Sequence, residues 1–365
     1  MSAEQVMVVA EKRRNIGVIT LNRPQALNAL SLAMIRDITA ALLQWRDDDE
    51  VVSVVLRGAT QEGKGVAFCA GGDIRFFHQS ALDGDPRLED FFTEEYSLNH
   101  LIHSYPKPTV ALMDGIVMGG GMGLAQGAAI RVVTERSKLA MPETNIGLFP
   151  DVGGGFFLSR CEGHIGEYLA LTGQVASAGD AIALRLADFF VPSGSLSALV
   201  ESLGDQPMES GAHVRAAVVA RTQPAPPAQW TAQREAIDAH FALVDIAAIV
   251  ESLAGDTSDW AAATLATLRK RSPLMMAVTL EQVRRARTMS LADDLRMERD
   301  MVRHCFHLRS GAVSETVEGI RALAVDKDHA PRWNPARIED VKREDVDAFF
   351  ASPWPAHAHP LRTLA

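Results

Sequence analysis

Short runs of β-branched residues alternate with helical patterns through the first two hundred residues of this 365-residue chain. The runs Val6 to Ala10, Ile16 to Leu21 and Val51 to Arg57 have the length and composition of strands. Between the second and third runs, residues 31–46 place apolar side chains at helical spacing. Strands that alternate with helices require parallel crossovers, so this part of the chain is predicted to form an α/β layer structure.

The character of the sequence changes after Pro192. Residues 193–229 are rich in Gly, Ser and Pro, a composition that favours a connection rather than a helix. From residue 230 onward the spacing of apolar residues is helical. We therefore predict a core in residues 1–192, a connection in residues 193–229 and a helical carboxy-terminal region in residues 230–365.

Composition and charge narrow the classes of function. The net charge of −10 argues against a nucleic-acid partner, since such proteins present a basic surface to phosphate. No run of about eighteen apolar residues is present, so we expect no membrane span. The three cysteines fit neither a disulfide framework nor a CxxC metal pattern. Because the amino terminus does not resemble a leader segment, a cytoplasmic location is expected.

Two carboxylates, Glu143 and Asp151, lie in an apolar segment that is rich in proline and glycine, residues 141–155. Burial in such a segment would raise the pKa of both carboxyl groups toward the range useful for acid, base or nucleophilic chemistry. The structural alternative is that Glu143 caps one helix and Asp151 opens the next. On these residues alone, both interpretations stay open.

Two glycine-rich segments, residues 67–73 and 115–123, are able to bring backbone N–H groups close to a ligand. Together they would form an oxyanion hole, although tight turns and helix packing are the ordinary use of such glycines. The glycine runs lack the GxGxxG register, and no GxSxG, HExxH or Walker motif is present, which argues against several common enzyme classes. The pairs His100/His103 and His304/His307 have one-turn spacing but no further ligand nearby, so no metal site is predicted.

Four segments of the chain occur in the order found in one known family. They are Arg23-Pro-Gln-Ala-Leu-Asn-Ala-Leu30, Phe68-Cys-Ala-Gly-Gly-Asp-Ile74, Gly115-Ile-Val-Met-Gly-Gly-Gly121 and Met141-Pro-Glu143. With a similar closing segment at residues 318–333, the chain resembles the crotonase, or enoyl-CoA hydratase/isomerase, superfamily over nearly its whole length. The resemblance implies a crotonase-type spiral of repeated ββα turns, with the helical carboxy-terminal region covering the active site.

The resemblance also points to one branch of the superfamily. Hydratases carry a catalytic glutamate just after the glycine run, where this chain has Gly123, and usually have glycine where this chain has Asp151. Together with Glu143, this pattern is similar to the hydrolase branch that acts on 3-hydroxyisobutyryl-CoA in valine degradation. We therefore expect an acyl-CoA thioester hydrolase. The alternatives are an enoyl-CoA hydratase or isomerase of the same fold, and a non-catalytic protein that binds acyl-CoA.

The same resemblance assigns roles to individual residues. The backbone N–H groups of Gly72 and Gly120 are expected to form the oxyanion hole that stabilises the negative oxygen of the attacked thioester. Glu143 would either activate water or attack the carbonyl itself, and Asp151 would position Glu143 or the water. Glu95 is expected to bind the 3-hydroxyl group of the substrate.

Coenzyme A is expected as part of the substrate, with no separate cofactor. Ala70 would contact its adenine through the main chain, and Ala26 and Lys327 complete the expected coenzyme A site. Arg23 and Lys64 are further candidate cations, whose ordinary interpretation is solvated surface charge. Members of the superfamily commonly form trimers, so a homo-oligomer is compatible with the resemblance, while the oligomeric state and the acyl-chain selectivity stay open.

Overall fold

The computed structural model describes residues 6–61, 63, 65–205, 208–307 and 314–365. The strands in these residues are short, and they are β1 (Val8–Arg13), β2 (Ile16–Leu21), β3 (Ser53–Gly58), β4 (Ala67–Cys69), β5 (Thr109–Met113), β6 (Ile116–Met118), β7 (Ile130–Val133), β8 (Lys138–Ala140) and β9 (Phe189–Phe190). The helices before residue 200 are α1 (Leu32–Arg46), α2 (Ile74–Asp83), α3 (Arg87–His103), α4 (Gly120–Gln126), α5 (Gly154–Leu158), α6 (Ile165–Thr172), α7 (Ala178–Ala183) and α8 (Leu196–Asp205). Those that follow are α9 (Gly211–Val219), α10 (Arg234–Phe241), α11 (Ile246–Gly255), α12 (Asp259–Leu268), α13 (Pro273–Ala286), α14 (Leu291–Phe306), α15 (Glu315–Ile320) and α16 (Arg343–Ala348). The predicted α/β class is confirmed.

The chain divides into two compact units, and each unit is assembled from three stretches of sequence. Unit 1 comprises Met1–Gly72, Ser97–Leu139 and Ala176–Thr231. Unit 2 comprises Asp73–Tyr96, Ala140–Val175 and Ala232–Ala365. Each unit therefore draws on residues that are far apart in the sequence, and the two alternate along the chain.

A six-stranded sheet in the order β1-β2-β3-β5-β7-β9 forms the centre of unit 1. Strand β1 pairs antiparallel with β2 and continues to Arg13, three residues beyond the predicted end of this strand, because Glu11, Lys12 and Arg13 all pair with β2. The other neighbours in the sheet pair in parallel. The parallel order confirms the crossovers that the sequence pattern predicts.

The core of unit 1 is built on this sheet. Strand side chains such as Val18, Val55 and Val132 pack in one cluster with Leu199 and Val214 of α8 and α9. These two helices lie within the predicted connection, residues 193–229, and their apolar side chains are buried although Gly, Ser and Pro flank them. The domain boundaries proposed at residues 192 and 229 stay a prediction.

A second, three-stranded sheet in the order β4-β6-β8 carries the glycine-rich segments. Strands β4 and β6 pair in parallel, with Ala67 opposite Ile116 and Cys69 opposite Val117. Parallel neighbours end at the same edge of a sheet, so the turns that follow β4 and β6 leave from the same edge. This edge is where both predicted oxyanion-hole residues lie.

Unit 2 is mainly helical, and its longest helices begin at well-formed caps. Ser272 accepts a hydrogen bond from the backbone N–H of Met275 at the start of α13, whose first residue is Pro273. Ser290 caps α14 in the same way. A side-chain oxygen at this position satisfies one of the backbone N–H groups that a helix leaves unpaired, and proline fits the first turn because its missing N–H would have had no partner.

A search of the described residues for a helix that is long and apolar enough to cross a membrane finds none.

Candidate active site

The two glycine turns of unit 1 touch each other. A Cβ atom at Gly71 would lie 3.4 Å from the carbonyl oxygen of Met118 and 3.8 Å from the amide nitrogen of Gly120. Gly71 and Gly119 both have positive φ angles, of 108° and 50°, which favour glycine. Among the described residues, no hydrogen-bond acceptor is found for the backbone N–H of Gly72 or Gly120. The two N–H groups assigned to the oxyanion hole are therefore available to a ligand.

The predicted coenzyme A residues Ala26 and Ala70 lie close together in unit 1. Ala26 ends a short 3-10 turn, and the amide of Ala70 donates a hydrogen bond to the carbonyl oxygen of Leu27, which follows that turn, at 3.0 Å. Asn28 is fully buried, and its side chain donates to the carbonyl oxygens of Ala59 and Ala67. Sequence reasoning quoted Asn28 only as part of a motif, yet this side chain holds the turn beside β4.

The other predicted cations have different positions. Arg23 lies in unit 1, where its side chain donates a hydrogen bond to the carbonyl oxygen of Ala29. Lys327 is exposed in unit 2 and has a φ of 59°. Lys64 lies outside the described residues.

Three carboxyl groups meet in the interior of unit 2. Glu95 lies on α3, Glu143 begins the 3-10 turn Glu143–Ile146, and Asp151 follows Pro150. Their side chains are 2%, 7% and 5% exposed. Neither Glu95 Oε1 nor Glu143 Oε2 has a hydrogen-bond partner in the part of the chain that the structure describes. Buried polar atoms are normally paired, so two unpaired carboxyl oxygens mark a place where a ligand or water would bind.

Burial raises the pKa of all three carboxyl groups. It raises the pKa of Asp151 to about 6, although Tyr96 donates a hydrogen bond from its hydroxyl to Asp151 Oδ2 at 2.9 Å and so favours the ionised form. Burial, with the charge of Asp151 added, raises the pKa of Glu143 well above its usual value. The pKa of Glu95 is raised for the same reasons and also by the charge of Glu143. The three groups are therefore coupled, and the protonation of each depends on the charge of the others.

The turn that carries Glu143 is held from two directions within unit 2. Thr316 at the start of α15 donates a hydrogen bond to the carbonyl oxygen of Gly147 at 2.7 Å. Thr144 donates to the carbonyl oxygen of Leu171 in α6. A Cβ atom at Gly147, where φ is 63°, would lie 2.5 Å from the carbonyl oxygen of Glu315. Only glycine fits there, and the turn has little freedom to move.

Sequence reasoning missed the side chains of α13 and α14 that surround the glycine run after Asp151. Gln282, Asp294 and Glu298 are fully buried and contact backbone groups of residues 150–156. The four-residue spacing of Asp294 and Glu298 places both acids on one helix face, but the same spacing is typical of acids that face solvent.

Gly123 and His304 were also singled out by the sequence pattern. Gly123 is buried inside α4, so the position used by hydratases carries no carboxyl group. His304 contacts the carbonyl oxygen of Ala351. Within the described residues, no three His, Cys, Asp or Glu side chains are grouped so as to hold a metal ion.

Comparison with known protein families matches residues 16–350 to the family described as enoyl-CoA hydratase/isomerase. Among characterised relatives, the mitochondrial 3-hydroxyisobutyryl-CoA hydrolase of Rattus norvegicus is 40% identical over 359 residues, which cover 96% of this chain and 90% of the rat protein. A probable 3-hydroxyisobutyryl-CoA hydrolase of Arabidopsis thaliana is 37% identical and covers 95% of this chain and 92% of its own length. Similarity of this extent spans both units.

Solved structures show the same fold. A carnitinyl-CoA dehydratase from Mycobacterium thermoresistibile superposes with a TM-score of 0.89 at 37% identity, covering 96% of this chain and 98% of that one. An enoyl-CoA hydratase from Rhodobacter sphaeroides gives a TM-score of 0.85 at 38% identity, covering 95% and 98%. The predicted crotonase-type fold is confirmed.

Proposed function

This chain belongs to the enoyl-CoA hydratase/isomerase family, and we propose that it hydrolyses 3-hydroxyisobutyryl-CoA to 3-hydroxyisobutyrate and coenzyme A, a step of valine degradation. The observation that carries the proposal is the buried carboxyl cluster of unit 2, in which Asp151 lies beside Glu143 while position 123 is glycine. Addition of water to a double bond needs two acid–base groups that flank the alkene, and the first of these is missing here. Thioester hydrolysis needs an activated oxygen nucleophile and an oxyanion site.

Glu143 supplies the reactive carboxylate. In one route it removes a proton from water, whose oxygen attacks the thioester carbonyl carbon. In the other, Glu143 attacks the carbonyl itself, and water then hydrolyses the resulting anhydride. Either way the C–S bond breaks and one water molecule is consumed. Its oxygen and one hydrogen end on the acyl group as the free acid, and its other hydrogen ends on the sulfur of coenzyme A. Asp151 holds Glu143 or the water in place, and Tyr96 fixes the orientation of Asp151 through their hydrogen bond.

The remaining roles are those that the resemblance to the family implies. The N–H groups of Gly72 and Gly120, which have no acceptor among the described residues, stabilise the oxyanion, and each donor of this kind stabilises the transition state by roughly 3 to 4 kcal/mol. Glu95, with an oxygen that lacks a partner among the described residues, accepts a hydrogen bond from the 3-hydroxyl group. Ala26, Ala70 and Lys327 bind the coenzyme A part of the substrate. No separate cofactor takes part in this scheme.

A second candidate is a hydratase or dehydratase, because two solved structures that resemble this chain over nearly its whole length carry those names. Such an enzyme changes a carbon–carbon double bond and leaves the thioester intact. The chain would then need Asp151 to replace the missing carboxyl group at position 123. A third candidate, a protein that binds acyl-CoA without turnover, would not use the reactive carboxyls that it retains.

Two substrates separate these candidates. We expect the protein to liberate free thiol from 3-hydroxyisobutyryl-CoA, measured with a thiol-reactive dye, and to leave the enoyl absorbance of crotonyl-CoA unchanged. Loss of enoyl absorbance without thiol release would favour the hydratase. Tight binding of coenzyme A with no turnover of either substrate would favour the binding protein. A panel of 3-hydroxyacyl thioesters then defines the acyl-chain selectivity.

A further inference from the structure

The loop that carries Asp151 is held by hydrogen bonds to buried side chains of α13 and α14, and all of these residues lie within unit 2. Glu298 accepts hydrogen bonds from the backbone N–H groups of Gly153, at 2.7 Å, and Gly155, at 3.0 Å. Asp294 accepts a third from Phe156 at 2.8 Å. Gln282 bridges the two sides, since its amide donates to Glu298 at 3.0 Å and to the carbonyl oxygen of Pro150 at 2.6 Å. We call these three side chains, Gln282, Asp294 and Glu298, the loop clamp.

The backbone of this loop needs outside support. Val152, directly after Asp151, has a φ of 56°, and Gly153 has a φ of 87°. A β-branched residue rarely adopts the left-handed region because its side chain collides with its own backbone, and such a conformation persists only where the surroundings impose it. The clamp supplies hydrogen bonds on both sides of this strained pair.

The clamp also fits the loop closely in space. A Cβ atom at Gly155 would lie 2.5 Å from Asp294 Oδ1 and 3.1 Å from the side chain of Ala286. The loop is therefore packed against α13 and α14 at this position, and any residue larger than glycine would push the backbone away from the carboxyl groups that hold it.

These contacts point beyond a structural role, because the loop that the clamp holds carries Asp151. We propose that Glu298 and Asp294 are positioning residues for thioester hydrolysis, which fix the place of Asp151 by holding the backbone of the loop that carries it. The inference rests on the proposed function of Asp151. Neither residue is assigned to contact the substrate.

The buried carboxyl groups of the clamp also interact electrostatically with Asp151. Burial raises the pKa of Asp294 to about 6, and burial together with the charge of Asp294 raises the pKa of Glu298 well above its usual value. The charge of Asp151 raises the pKa of Glu298 further. Glu298 and Asp151 therefore belong to one electrostatically coupled set of buried carboxyl groups. The titratable groups that interact with Glu298 are Asp294, Asp151 and Tyr96, and the N–H groups of Gly153 and Gly155 stabilise its ionised form.

Glu298→Gln tests the proposal, because glutamine keeps the shape but loses the charge and offers one acceptor oxygen instead of two. We expect kcat for thiol release to fall at least tenfold with KM changed less than threefold. Asp293→Asn, the adjacent carboxylate on α14 with its side chain 59% exposed, is the matched control and should behave as the native protein does.

Amide hydrogen exchange provides a second measurement that does not depend on activity. In Glu298→Gln, exchange at Gly153, Gly155 and Phe156 should accelerate while exchange in α6 stays slow. A lower melting temperature together with a KM that rises as much as kcat falls would mark a purely structural role and overturn the proposal. If the native protein releases no thiol, the proposed function fails, whereas unchanged exchange at these three amides would overturn the clamp itself.

Discussion

At the scale of single residues, the chemistry proposed for this protein depends on taking carboxyl groups out of water. Glu95, Glu143 and Asp151 are nearly inaccessible, and the strongest effect on each is the loss of hydration, which disfavours the charged form. Tyr96 opposes this effect at Asp151 by donating a hydrogen bond. Burial therefore raises the pKa of all three carboxyl groups above their ordinary values.

Such burial has a cost in stability that depends on pH. The folded protein raises the pKa of Asp151 from its ordinary value of 3.8 to about 6. The folded chain therefore binds more protons than the unfolded chain between these values. The contribution of this group to stability is fully present below pH 3.8 and is lost as the pH rises through about 6, a difference on the order of 3 kcal/mol.

Asp151→Asn is expected to remove this dependence, because an amide does not ionise. The free energy of unfolding in urea should exceed that of the native protein at pH 8 by about 1 to 3 kcal/mol, with a much smaller gain at pH 4.5. The exposed Asp293→Asn serves as the control and should give no such difference. An Asp151→Asn variant whose effect is the same at both pH values would contradict the proposed burial cost.

The sequence pattern predicted the carboxyl groups of this cluster better than it predicted the side chains that hold them in place. Glu143 and Asp151 were proposed from the apolar segment around them, and Glu95 from family resemblance; the structure brings these three together, while their roles stay predictions. Glu298 was missed because it acts on Gly153 from 145 positions along the chain. No local spacing reveals such a contact, and two acids four residues apart on a helix ordinarily face solvent.

At the scale of elements, the short strands and glycine turns of unit 1 pack so closely that the distance between neighbouring backbones can change little. Helix α4 packs so closely against β4 that a Cβ atom at Gly121 would lie 2.2 Å from the carbonyl oxygen of Cys69. Neither the helix nor the strand has a flexible side chain there that could move aside. The spacing of these two elements also sets the positions of Gly72 and Gly120, which follow β4 and open α4.

Gly121→Ala is therefore expected to separate β4 from α4. We predict a loss of about 1 to 3 kcal/mol in the free energy of unfolding, as is typical of overpacking, and a fall in thiol release because both oxyanion donors shift. Gly194→Ala, in the same unit but with open space around the added methyl group, is the matched control. Native stability and native thiol release in Gly121→Ala would show that the spacing is not critical.

Element prediction was most accurate where one periodicity dominates. Strand β2 has the predicted bounds, and α1 begins one residue after the predicted Ser31, which instead accepts the capping hydrogen bond of Met34. Prediction was weaker in residues 193–229, where Gly, Ser and Pro suggested a connection but α8 and α9 form because Leu199, Val200 and Val214 are buried in the core. Tertiary packing overrides local composition in such segments.

At the scale of the whole molecule, the α/β pattern and four ordered motifs sufficed to predict the fold and the family. The division into units was not visible in the sequence, since each unit joins three separate stretches. Such a division follows from contacts between distant residues, which neither composition nor periodicity records. The cytoplasmic location and the absence of a separate cofactor stay predictions, and the oligomeric state stays open.

The account depends most directly on Glu143, which is assigned the only reactive carboxylate in the proposed hydrolysis. The decisive measurement is the rate of thiol release from 3-hydroxyisobutyryl-CoA by the native protein and by Glu143→Gln, with folding of both checked by circular dichroism. We predict rapid release by the native protein and a fall in kcat of about a thousandfold or more in the folded variant. Full thiol release by Glu143→Gln would contradict the account.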